Sequence, residues 1–488
     1  MATRVKQSKE TGFDWEYSAA PESRSIVSIA PSYGHFIGGT MDKVGERRVA
    51  VLNPATEERL TEVSWGDPSD VDRAVNAANR ALPAWQKLSG LERGKYLFRI
   101  ARIIQERSRE FAVLETLDGG KPIRESRDVD IPLAAAHFFY HAGWADKLDY
   151  AFPGRKWSPV GVVGQIIPWN FPLLMAAWKI APALACGNTV ILKPAETTPL
   201  TALLLCEVFQ QAELPDGVVN IVTGAGDTGR ALVEHSGVQK IAFTGSTDVG
   251  KLIQKTIGGK KKLSLELGGK AANVIFEDAA IDQAIEGVVN GIYFNQGHVC
   301  CAGSRLLVQE SVHDAVVRKL ERRIQLLRLG DPLDKNTDIG AINSRDQLLK
   351  IEELVESGVA EGAEIHQSSC MMPTKGFWFK PTFFTKVAQS HRIAQEEIFG
   401  PVLSILTFRT PAEAVQKANN TRYGLSAGVW TETGSRYLEF ARLAKAGVIW
   451  ANTFNRFDPT SPFGGFKESG FGREGGIHGL REYVELSR

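Results

Sequence analysis

From Gly161 onward, short runs of consecutive apolar residues alternate with stretches whose apolar residues recur at helical spacing. GVVGQIIP is the first such run and reads as a strand buried on both faces. A helix over about 172 to 185 follows. Then come the strand NTVILKPA, the helix TPLTALLLCEVFQQAE, the strand GVVNIVTG, a helix over about 228 to 236, the strand KIAFTGS and the helix DVGKLIQKTI. This alternation predicts an α/β fold built on a doubly wound, Rossmann-like parallel sheet. LSLELGG is the strand by which the chain leaves this unit. From Ala271 to about Phe466 the texture is again mixed α/β and predicts a second domain.

Upstream, HFIGG at 35 to 39 and RRVAVLNPAT read as short strands. DPSDVDRAVNAANRALPAW at 67 to 85 has a capping residue followed by helical periodicity. Residues 90 to 122 read as one or two amphipathic helices stopped by Gly119-Gly120 and Pro122, and a further helix covers about 130 to 147. The segment 148 to 158 reads as a short projecting hairpin centred on Pro153-Gly154. Residues 1 to 31 are a polar extension in which Phe13, Trp15 and Tyr17 offer apolar rings to dock on the body.

A chain of 488 residues exceeds one ordinary core, which agrees with two or three domains. Basic and acidic residues number 57 and 56. That balance gives no electrostatic reason to expect nucleic acid or an acidic membrane surface. No run of 18 apolar residues and no signal-peptide pattern is present, so a cytoplasmic protein is expected. The five cysteines, at 186, 206, 300, 301 and 370, lack the spacing of a disulfide framework. No metal-ligating cluster is read.

The chemistry gathers in three stretches. FNQGHVCCAGSR sets the adjacent thiols Cys300 and Cys301 in a Gly-bounded loop. LSLELGGK, upstream, offers the carboxylate Glu266. PWNFP offers Asn170, a neutral amide able to donate to an oxyanion. A thiol nucleophile, a base for water and an oxyanion donor describe acyl chemistry on a carbonyl. The single GxGxxG match, GAGDTG from Gly224 to Gly229, reads more simply as a tight strand-to-helix loop than as a dinucleotide fingerprint.

PWNFP, KPAE, FTGST, LELGGK, the Cys loop, EEIFGPV and PFGGFKESGFGRE stand in the order and spacing of the NAD(P)-dependent aldehyde dehydrogenases, which the chain resembles from about residue 33 to 485. The wording is nearest to the branch whose longer members carry a second, degenerate dehydrogenase unit. The resemblance implies NAD-dependent oxidation of an aldehyde to a carboxylic acid. It selects Cys300 as nucleophile, Asn170 as oxyanion donor and Glu266 as base, with Lys179 and Glu474 supporting proton relay. It assigns the cofactor to Trp169, Lys193, Glu196, Gly245, Ser246, Glu397 and Phe399. On composition alone, Lys193 and Glu196 read as a solvated pair and Ser246 as an N-cap. A carboxylate at Glu196 favours NAD over NADP. The implied division is a cofactor-binding domain of residues 32–147 and 159–268, a catalytic domain of 269–466, and oligomerisation elements at 148–158 and 480–488.

Arg456 and Phe457 fall where the family lines its substrate entrance, Phe171, Trp178 and Phe463 would make the inner wall aromatic, and Arg456 suggests a polar or anionic aldehyde. His298 replaces the family's usual Gln and either tunes the thiol or packs. The chain stops at Arg488, short of the family's usual final strand, so a homodimer is expected, with a tetramer as the alternative. The competing functions are a catalytically silent binding protein and a cofactor-free thiol esterase. Intact Cys300, Glu266 and Asn170 oppose the first, and the intact cofactor residues oppose the second.

Overall fold

The computed structural model describes residues 18–487. Phe13, Trp15 and Tyr17 lie outside the described residues. Residues 18 to 31 lie along the body: the Glu22 amide donates to the Leu333 carbonyl at 2.8 Å, and the buried Glu22 carboxylate pairs with Arg109 and Lys335.

The first sheet has at its centre β1 (Val162–Ile166), β2 (Thr189–Lys193), β3 (Val219–Ile221), β4 (Lys240–Thr244) and β5 (Lys262–Glu266). They are mutually parallel and stand in the order β5-β4-β1-β2-β3. The chain steps outward from β1 to β3, then returns to the far side of β1 for β4. The strand order therefore reverses between β1 and β4, and a crevice opens there at the carboxyl ends of the strands. Short antiparallel strands border the sheet: Gly470–Phe471 beside β5, and Phe36–Ile37 beside β3. LSLELGG is thus an integral member of this sheet, and the chain crosses to the second sheet only after it.

Both faces are covered. Ile166, Ile241, Phe243 and Leu265 pack into one apolar cluster. Val163, Val190 and Leu192 pack into another, with α1 (Pro172–Ala185) and the C-terminal segment around Leu480 and Val484. The helix after β4, α2 (Thr247–Ile257), belongs to the first face.

The second sheet contains β6 (Ala272–Ile275), β7 (Arg305–Gln309), β8 (Thr382–Thr385), β9 (Val402–Phe408), β10 (Ser426–Trp430) and β11 (Val448–Ala451). These are parallel in the order β8-β9-β7-β6-β10-β11. Between β6 and β7 run α3 (Ile281–Tyr293) and the Cys loop.

The segment 148–158 is not a self-paired hairpin. Leu148–Ala151 is a helical turn, and the following strand Lys156–Pro159 pairs antiparallel with Val484–Ser487. The Gly154 turn leads from the helical turn into this strand, whose partner lies at the far end of the sequence.

Candidate active site

Three strand ends converge on one cavity of about 150 Å³. From β1 the chain continues into Pro168-Trp169-Asn170-Phe171, and Pro172 then opens α1, where its fixed φ suits the first turn. From β4 it continues into Gly245-Ser246, and from β5 it ends on Glu266. Asn170, Glu266, Cys300, Trp169, Gly245 and Ser246 all line the cavity.

The Cys loop is held by an unusual backbone. Asn295, Gln296 and Gly297 adopt φ of 48°, 54° and 75° in succession, which only Gly does without strain. Buried hydrogen bonds hold this turn. The Asn295 amide donates to Glu125 Oε2 at 2.8 Å, Gln296 Nε2 donates to the Ala341 carbonyl at 3.0 Å, and Gly340 N donates to Gln296 Oε1 at 3.2 Å. Asn170 Nδ2 donates to the His298 carbonyl at 2.8 Å, and Asn295 Nδ2 donates to the Asn170 carbonyl at 2.8 Å. The oxyanion donor and the thiol loop are therefore fixed to each other. An amide nitrogen carries two hydrogens, so one remains for a ligand.

Cys300 is half-buried, whereas Cys301 is 1% exposed and its Sγ points to Asn455 Oδ1 at 3.9 Å. Contact with the Cys301 thiol, then burial, pushes the Cys300 thiol well above its ordinary value. The loop can lie this close to the first sheet because residue 269 is Gly: a Cβ there would stand 2.3 Å from the Cys300 carbonyl oxygen. Neither carboxylate oxygen of buried Glu266 has a protein partner. Burial, reinforced by the Glu474 carboxylate and opposed by Lys179, holds Glu266 well above the ordinary carboxylate range. Lys179 and Glu474 form a buried ion pair next to it.

On the first-sheet side, a Cβ on residue 245 would meet the Phe243 ring at 2.5 Å, so glycine keeps this turn close to the strand. Ser246 caps α2 by accepting from the Val249 amide at 3.4 Å. Glu397 lines the cavity and accepts from the Gly269 amide at 2.8 Å, and burial raises its carboxyl. Phe399, at φ 56°, meets Trp169 edge-on at 5.3 Å, and the buried His298 ring packs on both. Burial pulls His298 down to about 3, which favours the neutral ring packed between Trp169 and Phe399.

Lys193 and Glu196 lie at the end of β2, with Nζ and Oε2 3.4 Å apart, and neither lines the cavity. Gly229 of the Gly-rich loop sits against Lys193: a Cβ there would be 3.7 Å from Lys193 Cδ. The strand-to-helix loop reading fits, since Gly226 opens a helix that runs to Glu234.

Phe171, Trp178, Phe457 and Phe463 form an aromatic wall, with Trp178–Phe463 centroids at 5.3 Å and Phe457–Phe463 at 5.9 Å. Arg456 does not join them. Trp450 Nε1 donates to the Arg456 carbonyl at 3.0 Å, which turns Phe457 inward and leaves the exposed Arg456 side chain on a separate shallow groove beside Asp282 and Glu286. The inference of an anionic aldehyde from Arg456 loses its basis. Sequence reasoning missed Asp130, which lines the cavity, and Glu125, Asn295 and Gln296, which hold the thiol loop. The doubled glycine of LELGGK was the available signal for Gly269. Among the described residues, no group of three or more His, Cys, Asp or Glu side chains is placed to hold a metal, and no helix is long and apolar enough to cross a membrane.

Residues 41–488 match the family model described as Aldehyde dehydrogenase family. The chain is 47% identical over 451 residues to retinal dehydrogenase 2 of Homo sapiens, covering 89% of this chain and 87% of that protein. It is 45% identical over 447 residues to a Bacillus subtilis protein named putative aldehyde dehydrogenase DhaS, covering 89% and 90%. An NAD+ complex of aldehyde dehydrogenase from Bacillus cereus superposes with a TM-score of 0.90 at 40% identity, covering 93% of this chain and 96% of that one.

Proposed function

The chain belongs to the aldehyde dehydrogenase family, and we propose that it oxidises an aldehyde to the carboxylic acid with NAD through a thiohemiacetal and then a thioester on Cys300. The observation that carries this reading is the convergence of Cys300, Asn170 and Glu266 on one cavity that Gly245, Ser246, Glu397 and Phe399 also line.

These residues fit a dinucleotide. The Gly245-Ser246 turn at the head of α2 suits a pyrophosphate, because it lines the cavity at a helix N-terminus, where the dipole favours anions. Glu397 offers a carboxylate to a ribose at the cavity wall, and Trp169 and Phe399 offer ring faces beside it. Lys193 and Glu196 would hold the adenosine ribose, and the 46% exposed Glu196 carboxylate disfavours a 2′-phosphate. NAD, when bound, supplies the hydride acceptor.

The chain's own groups supply the rest. Cys300 adds to the aldehyde carbon. The free N–H of Asn170 and the Cys300 amide meet the oxyanion. The apolar wall of Phe171, Trp178 and Phe463 holds the carbon chain and limits water. Glu266 takes a proton from the water that hydrolyses the thioester, and the Lys179–Glu474 pair supports its discharge. Residues 32–147 and 159–268 are read as the cofactor-binding domain and 269–466 as the catalytic domain. The ribbon of Lys156–Pro159 and Val484–Ser487 is read as a homodimer element.

NADH formation on a panel including hexanal and benzaldehyde, with NAD and NADP in parallel, tests this for the wild type, Cys300→Ala and Cys301→Ala. The expected result is turnover preferring NAD, abolished in Cys300→Ala and retained in Cys301→Ala. Loss in Cys301→Ala alone would move the nucleophile by one residue. No turnover on any aldehyde by folded wild type would sink the reading.

A further inference from the structure

Glu266 does not stand alone on its strand. Within β5 the side chains of Lys262, Ser264 and Glu266 point to one face. The parallel register sets Lys240, Ala242 and Thr244 of β4 beside them, and Gln165 of β1 beside Ala242. This face meets α1 and the C-terminal segment, and it is polar where the opposite face is apolar. Lys240 Nζ donates to Ser264 Oγ at 2.9 Å and lies 3.4 Å from Glu482 Oε2. Gln165 Nε2 donates to the Lys179 carbonyl at 2.8 Å.

Several polar atoms along this face are buried without a protein partner: both oxygens of Glu266, Thr244 Oγ1, Gln165 Oε1 and the Tyr483 hydroxyl. Buried polar atoms are almost always satisfied, and ordered water satisfies those the protein does not. Glu266 and Thr244 also line the cavity, and with Gln165, Lys240 and Ser264 they form a polar strip along one strand face. It starts at the cavity with Glu266. It ends about 13 Å away, at the other end of β5, where the Glu482 side chain is 17% exposed.

The proposed reaction needs such a route. Oxidation of an aldehyde by NAD and water yields carboxylate, NADH and two protons. During hydrolysis the proton taken by Glu266 must leave a site closed by cofactor on one side and acyl chain on the other. The Lys179–Glu474 pair gives a first step away, and Lys240, Ser264 and Glu482 lie outside the motifs that identify the family.

We propose that the polar face of β4 and β5 is the proton outlet of Glu266, discharging through Lys240, Ser264 and ordered water to Glu482 at the opposite edge of the sheet. This rests on Glu266 acting as the hydrolytic base. Burial pulls Lys240 down to about 8, with Glu482 and Glu474 opposing and Lys262 reinforcing, so it exchanges protons near neutral pH. Lys240 and Glu482 conduct; they do not touch the acyl group.

The test needs no cofactor. p-Nitrophenyl acetate acylates Cys300, releasing nitrophenol in a burst, and water then hydrolyses the thioester to acetate in a slower phase. Lys240→Met and Glu482→Gln are expected to keep the burst and to slow the hydrolytic phase about tenfold, well within what a general-base pathway contributes. Imidazole, as a diffusing proton carrier, is expected to restore part of that rate. A hydrolytic phase unchanged in both variants overturns the outlet. So does an equal fall of both phases in Glu482→Gln, which marks a structural tie. Should Lys240→Met not fold, the partly exposed Glu482→Gln decides alone. Ester hydrolysis without aldehyde oxidation would defeat the function proposed above while leaving the outlet measurable.

Discussion

At the residue scale the site turns first on a group whose ionisation runs against its task. Glu266 must be a carboxylate to take a proton from water, yet burial and Glu474 favour its neutral form. The fraction able to act therefore rises with pH through its raised pKa and is lost in acid. Thioester hydrolysis should climb across that range in the wild type. In Glu266→Gln the climb should vanish, and acyl-enzyme should accumulate on Cys300, detectable by intact mass after an aldehyde and NAD are mixed with the enzyme. An unchanged pH slope in that variant would assign the base elsewhere. Asn170 carries a different load. Its Nδ2 donates one hydrogen to the His298 carbonyl and has one left for the oxyanion. Asn170→Ala should cut turnover about a hundredfold, the typical weight of one oxyanion donor. The loss should fall mainly on kcat, because Asn170 binds charge that exists only during reaction; a change confined to KM would make it a ground-state binder.

At the element scale, what matters is how closely the Cys loop approaches β5. The Gly269 backbone lies where a Cβ would strike the Cys300 carbonyl oxygen at 2.3 Å. That neighbour is backbone, so it cannot swing away. Gly269→Ala should push the thiol loop out of register with Asn170 and lower kcat by about tenfold or more, since small misplacements of reacting groups are costly. NAD binding, followed by fluorescence titration, should fall less than kcat, because Gly245, Ser246, Lys193 and Glu196 lie elsewhere while Glu397 is tied to the Gly269 amide; full activity in Gly269→Ala would remove the packing argument. The sequence made these elements legible through local signals. Apolar runs gave the parallel strands, Asp67 gave the start of the helix Pro68–Lys87, and Gly120 gave a stop. What it hid was pairing across distance. Nothing near Asn295 announces that Glu125, 170 positions away, receives its amide. Nothing near Pro153 announces that the next strand pairs with residues 484–487. Arg456 misled because spacing along a loop does not say which side chains turn inward, and the Trp450 hydrogen bond decided that.

At the scale of the whole molecule, the two sheets bury their faces, but the ribbon of Lys156–Pro159 and Val484–Ser487 does not close on itself. A two-stranded ribbon is marginal in water and leaves unpaired backbone groups along its edges. Here it is anchored from one side. Val484 is buried in the main core, and Lys262 Nζ donates to the carbonyls of Arg481 and Val484 at 2.8 and 2.7 Å. An anchored ribbon with free edges is suited to receive strands from a second copy, and an edge left open would invite indiscriminate pairing. Ending the chain before Val484 removes one strand, exposes the other and takes the Val484 carbonyl from Lys262. The expected outcome is a lower Tm together with conversion of the proposed dimer to a monomer, read by light scattering at matched concentration. A truncated chain that keeps the wild-type mass would place the subunit contact on another surface. One that loses mass while keeping its Tm would separate assembly from folding and leave the ribbon with the assembly role alone.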